Sequence, residues 1–183
     1  MRIAGTAAAL IALVALPSFA DARPIIAGAS VGRIQSEVNA DGEASDTYQL
    51  FGRIGFTSRL SAQVELQKIE DPYAEVRSVT ALLVVELAGS QSKLMPLLVA
   101  GLGVDTAETD YYEEHGTHKE GGLGLEYRAD GGFTVGIDFR LGGRSVDQSD
   151  QVTPLGEGMI GLWAPAMAEG EYRSGRLYAA IRF

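Results

Sequence analysis

His115 and His118, with Glu113, Glu114 and Glu120 around them, form the densest set of potential metal ligands in the chain. Imidazole and carboxylate groups hold zinc or a related metal when a rigid element fixes their spacing. No helix or strand is expected to hold all five, so the segment reads as a solvated acidic loop and no metal is assigned. Gly121-Gly122-Leu123-Gly124 lacks the Lys-Ser/Thr pair and the opening helix of a phosphate loop. The Ser, His and acidic residues show no hydrolytic motif. No catalytic residue, cofactor or metal follows, and the chain reads as non-enzymatic. Two apolar groups in long polar connections remain as candidates for contact with a partner: Tyr111-Tyr112, and Met159, Ile160, Leu162, Trp163 and Met167.

Composition bounds the rest. The chain has 183 residues, 23 glycines, no cysteine and a formal charge of −9. Nucleic acid is a poor partner for so acidic a chain, because its binders cluster Lys and Arg over the phosphates. The absence of cysteine excludes disulfides, thiolate metal sites and a lipid-modified cysteine anchor. Met1-Arg2, the uncharged run Ala7 to Leu16, Pro17 and the small residues Ser18 to Ala22 read as a signal peptide over residues 1–22, leaving 23–183 as one domain. The apolar run is too short to span a membrane as a helix, which takes about 20 residues, and no later run is longer.

The mature chain divides into eight segments of strand character: roughly 25–35, 47–57, 60–69, 76–88, 94–105, 118–128, 133–143 and 175–183. Period two is clear in the seventh, where Phe133, Val135, Ile137, Phe139 and Leu141 alternate with Thr134, Gly136, Asp138, Arg140 and Gly142. The fourth is apolar on both faces, and its Val and Thr content favours a strand. The connections alternate. Residues 36–46, 106–117 and 144–174 are long and 70–75 is intermediate, whereas those after segments two, four and six are short. An all-β, eight-stranded, antiparallel up-and-down barrel puts all the long connections at one end. Phe56, Tyr127, Phe133 and Phe183 fall on apolar faces at the other end and read as an interfacial aromatic girdle.

A soluble lipocalin-like barrel would turn its apolar face inward around a ligand. Here the polar face carries many glycines together with Arg53, Glu65, Glu86, Glu126, Asp138, Arg140 and Arg182. Small residues and mixed charges suit the crowded interior of an eight-stranded barrel, which side chains just fill. The apolar face therefore points outward, into lipid. Buried charges must be paired. Strand adjacency predicts Arg53 with Glu65, Arg140 with Glu126 or with the neighbours of Asp138, and Arg182 with Asp138. This polar network reads as a plug rather than a path.

Arg176 to Phe183 alternates strictly and ends on an aromatic residue. On that Tyr178…Phe183 signature and on its architecture, the chain resembles the small eight-stranded outer-membrane β-barrels of the outer membrane protein A transmembrane-domain and opacity-protein type. The resemblance implies a Gram-negative outer membrane, export through a cleaved signal peptide, delivery by the barrel assembly machinery, and contact with outer-membrane lipid and lipopolysaccharide. It implies a structural or adhesive surface protein, read here as a monomer, with long acidic extracellular loops and an unidentified surface ligand. No peptidoglycan-binding domain is expected after Phe183. A lipid-modifying enzyme or a narrow channel on the same barrel, and a soluble periplasmic ligand binder, are the alternatives.

The leader reading predicts cleavage after Ala20 or Ala22. N-terminal sequencing of membrane-extracted protein checks it, and a retained Met1 refutes it.

Overall fold

The computed structural model describes residues 24–36, 44–70, 75–89, 91–108, 113–146 and 169–183. The leader, Tyr111-Tyr112 and the apolar group Met159, Ile160, Leu162, Trp163 and Met167 lie outside the described residues. Eight strands follow one another in chain order: β1 Ile25–Ser36, β2 Ser45–Gly55, β3 Leu60–Glu70, β4 Glu75–Glu86, β5 Leu94–Glu108, β6 Glu113–Arg128, β7 Phe133–Val146 and β8 Gly170–Arg182. Each pairs antiparallel with its neighbour, and β1 pairs with β8 to close the barrel. Closure leaves no unpaired sheet edge, which is the condition for a β-structure to sit in lipid.

Alternation decides which side chains face in. Along β8, Tyr172, Ser174, Arg176, Tyr178 and Ala180 are buried, whereas Arg173, Gly175, Leu177, Ala179 and Ile181 are exposed. The same parity holds along β7, where Phe133, Val135, Ile137, Phe139 and Leu141 project outward. Phe133 to Leu141 is nine residues, within the roughly 9–11 that a tilted strand needs to cross hydrocarbon.

Several strands run further than their sequence pattern indicates. β5 and β6 pair up to Glu108 and Glu113, so the expected 106–117 connection shrinks to residues 109–112. The connection after β3 is 71–74, no longer than the short connections at the opposite end, and only 37–44 and 147–169 are extended. Backbone pairing continues into water because each added ladder bond satisfies two polar groups whatever the side chains are. The sequence placed Glu113 to Thr117 in a loop because their side chains are polar on both faces. At the opposite end the turns are compact. Gly131 and Gly132 take φ of 95° and 86°, as a tight hairpin requires. Lys93 bridges to Asp130 at 2.7 Å and ties two turns together, and that contact holds the exposed ammonium above its ordinary pKa.

Interior glycines make room for large neighbours. A Cβ on Gly136 would collide with the ring of Tyr178, and one on Gly142 with the ring of Tyr172. Gly175 faces outward with nothing within 4 Å of its Cβ position. Gly136→Ala is therefore expected to destabilise the refolded barrel by about 1–3 kcal/mol through overpacking, whereas Gly175→Ala stays within about 0.5 kcal/mol. Urea unfolding in detergent measures both, and equal midpoints would mean the interior is not closely packed.

Candidate functional site: the barrel interior and its rims

Alternation delivers arginines and carboxylates from six strands into the lumen, and they form a column along the barrel axis. Near the short-turn end, Arg128 donates to both oxygens of Glu86 at 3.0 and 2.7 Å and to Glu126 at 2.9 Å. Arg53 donates to Glu126 at 2.5 Å and to Gln63 at 2.6 Å. The Tyr178 hydroxyl completes the shell of Glu126 at 3.0 Å. At mid-height, Glu65 accepts two bonds from Arg140, at 2.7 and 2.9 Å, and two from Arg176, at 2.9 and 3.5 Å. Arg176 also grips Asp138 with two bonds, at 2.8 and 2.7 Å. Arg140 reaches Asp138 at 3.2 Å and also bonds Glu120, which accepts from the Tyr172 hydroxyl at 3.1 Å.

The network holds six of the seven interior residues the sequence singled out: Arg53, Glu65, Glu86, Glu126, Asp138 and Arg140. The pairings differ from those expected. Arg53 bonds Glu126 rather than Glu65, and Arg140 takes Glu65, a residue 75 positions away. In so narrow a barrel, long side chains reach across the lumen, so strand adjacency alone does not select partners. Arg182 does not meet Asp138. The register places Arg176 opposite Asp138 and puts Arg182 opposite Ile26 at the end of the barrel. Arg176 and Tyr178 share the parity of Arg182, and Arg128 that of Glu126, so alternation alone turns them inward, but it does not select their partners.

A second cluster closes the long-loop end. Asp105 accepts from His118 Nδ1 and from Arg144 Nε, each at 2.9 Å, and from the Ser78 hydroxyl. His118 Nε2 meets Thr80 Oγ1 at 2.9 Å. The hydroxyl–imidazole–carboxylate order is that of a hydrolytic triad, but Thr80 is 1% exposed and has no room for a substrate. The bonds instead satisfy one another. His118 opens the sixth strand segment of the sequence pattern, although the acidic set around it reads as a loop; β6 holds it rigidly inside, while His115 faces outward from the same strand. The two imidazoles therefore point to opposite sides of the wall and cannot share an ion. Among the described residues, the only side-chain polar atoms fully sealed from solvent and without a partner are Thr47 Oγ1 and Arg140 Nε.

The outer wall has a sharp boundary. Arg33, Lys68, Arg77, Lys119 and Arg173 all project outward toward the long-loop end. On the same five strands, every outward residue between these cations and the short-turn end is uncharged and mostly apolar, such as Leu66, Leu123 and Leu177. Several of the cations are tied to acids at the same level: Arg33 to Asp46 at 2.9 Å, and Lys68 and Arg77 to Glu75 at 3.0 and 2.8 Å. At the opposite margin, Tyr127, Phe133 and Phe183 are exposed on the outer surface, and Phe56 is half-buried in the turn after β2.

A charge-free apolar belt around a closed barrel whose interior is polar is the inverse of a soluble barrel. The fold is that of a small outer-membrane β-barrel. No protein-family model matches the chain, and no curated protein matches it. Solved structures do. The chain is similar to Neisserial surface protein A, with a TM-score of 0.60, 16% identity, and coverage of 90% of this chain and 98% of that one. It is also similar to the N-terminal β-barrel domain of Pseudomonas aeruginosa OprF, with a TM-score of 0.55, 16% identity, and coverage of 87% and 97%. At these identities the likeness concerns the fold.

Arg176→Ala strands Asp138 and part of Glu65 in the core and is expected to cost about 3–5 kcal/mol. Arg182→Ala removes no carboxylate partner and is expected to stay within about 0.5 kcal/mol. Unfolding midpoints of the two variants in detergent decide the order, and the reverse order would refute this assignment of partners.

Proposed function

We propose that this chain is a non-enzymatic surface barrel of the bacterial outer membrane, structural or adhesive, with its working surface at the long-loop end. The carrying observation is the ion-pair column from Glu86 through Glu65 to Glu120. It occupies the lumen that a channel would need. With the interior filled and the wall given over to lipid, contact with other molecules falls to the rims and loops. The outward collar of Arg33, Lys68, Arg77, Lys119 and Arg173 supports contact with the phosphates of an anionic outer-leaflet lipid, lipopolysaccharide in a Gram-negative membrane. The apolar residues Met159, Ile160, Leu162, Trp163 and Met167 are, from their types and place in the sequence, the best candidates for contact with an external partner. Against a lipid-modifying enzyme stands the Thr80–His118–Asp105 chain, the one triad-like arrangement among the described residues, whose hydroxyl is sealed inside the barrel.

Two measurements on the same protein test this reading. Purified barrel in planar bilayers is expected to show no unitary conductance. Cells displaying it are expected to lose surface adherence, but not heat-modifiable folded barrel, when residues 147–168 are replaced by a short Gly-Ser turn. Stepwise ion-selective currents would move the molecule to the channel class, and unchanged adherence would remove the extended loop from the function.

A further inference from the structure

The short-turn mouth of the barrel contains a cavity of about 120 Å³ lined by Arg53, Arg128, Arg182, Glu86, Ser61 and Thr57, among others. A single water needs only about 10–15 Å³ by the same kind of measure, so the space holds a small ligand with its waters. Its charges do not balance. Three guanidiniums stand against two side-chain carboxylates, Glu86 on the wall and Glu126 just behind it. Arg128 takes both of these, and Arg53 takes Glu126. Among the described residues, Arg182 has no ion pair or side-chain hydrogen bond.

The hydroxyls around it are also free to donate. Ser61 is 4% exposed and makes no side-chain hydrogen bond among the described residues. Thr57 Oγ1 already accepts from the backbone N–H groups of Arg59 and Leu60, at 3.2 and 2.9 Å, so its remaining capacity is as a donor. One unpaired guanidinium and two unspent hydroxyl donors line the cavity, and both lining carboxylate neighbours are engaged by the other arginines. A metal ion would meet the arginine side chains there, and a neutral ligand would leave the charge of Arg182 to water alone.

We propose that this mouth is an oxyanion-binding site, taking one phosphate or carboxylate group of a small solute, with Arg182 as the principal cation and Ser61 and Thr57 as donors. Arg182 is suited to it because a guanidinium presents its donors as a fork that matches such groups. The outer-membrane reading sets only which compartment supplies the solute, the periplasm. The site itself is a property of the isolated barrel, so it stands or falls separately from that reading.

The test is a titration of the detergent-refolded full barrel with inorganic phosphate, with acetate and with chloride at constant ionic strength. It is followed through the backbone amide shifts of Ser61 and Arg182. Saturable shifts with phosphate or acetate, absent with chloride, are expected, and the stronger of the two identifies the group bound. Arg182→Gln should weaken that binding about tenfold or more, and Arg182→Lys by less, because it keeps the charge but loses the fork. Both variants should fold as the parent does, since no carboxylate is stranded, and heat-modified gel mobility verifies this. Ser61→Ala gives a second, milder loss without touching charge. Equal responses to all three anions, no saturable response, or undiminished binding by Arg182→Gln would overturn the proposal.

Discussion

Glu65 is the residue on which the interior turns. It is 1% exposed, sits at mid-barrel, and is held by Arg140 and Arg176 from strands on the far side of the lumen. A carboxylate so placed would be prohibitively costly alone, and so would either arginine. Together with Asp138 they form a set in which each member makes the others tolerable. The set also links β3, β7 and β8 across the interior, where the backbone ladder links only neighbours. Hydrophobic burial serves that purpose less than in a soluble domain, because most of the large apolar side chains are committed to the outside. Smaller apolar clusters, such as Leu82, Val84, Met95, Leu97 and Val99 on β4 and β5, fill the remaining lumen. They explain why β4 is apolar on both faces.

The exterior follows from the same division. Once the polar atoms are gathered inside and the edges are closed, the outer wall can remain free of charge from the short-turn margin up to the collar of Arg33, Lys68, Arg77, Lys119 and Arg173. Beyond the collar the strands continue, notably the β5–β6 hairpin to Glu108 and Glu113. The barrel is therefore taller than its apolar belt, and the excess lies at one end. The Asp105–His118–Thr80 cluster and the apolar group of Ile34, Ile69, Val76, Ala107 and Tyr172 seal that projecting section from within.

A barrel so filled has little chemistry to offer along its axis. Its two ends differ. One carries mixed charge outside a sealed interior. The other leaves an arginine with no acidic partner in a donor-lined mouth, since the register gives Asp138 to Arg176. Contact with other molecules falls to these ends because the polar groups of the middle satisfy one another.

The sequence by itself determined the number of strands, their order and the facing of nearly every side chain. Each of these depends on local alternation, and a one-residue slip would turn lipid-facing leucines inward. That is why Phe133 to Leu141 and Arg176 to Phe183 were legible directly, and why Arg53, Glu65, Glu86, Glu126, Asp138 and Arg140 could be placed inside. Only the tertiary structure decided who meets whom. Arg140 with Glu65, Arg53 with Glu126 and Arg176 with Asp138 depend on barrel diameter, register and the reach of long side chains across a closed lumen, none of which is encoded in adjacent positions. The extension of β6 over Glu113 to Thr117, and with it the buried setting of His118 beside Asp105 and Thr80, was not legible for a related reason. Those residues are polar on both faces, so hydrophobic periodicity is silent there, and the strand exists because backbone pairing extends past the lipid into water, where alternation is no longer enforced.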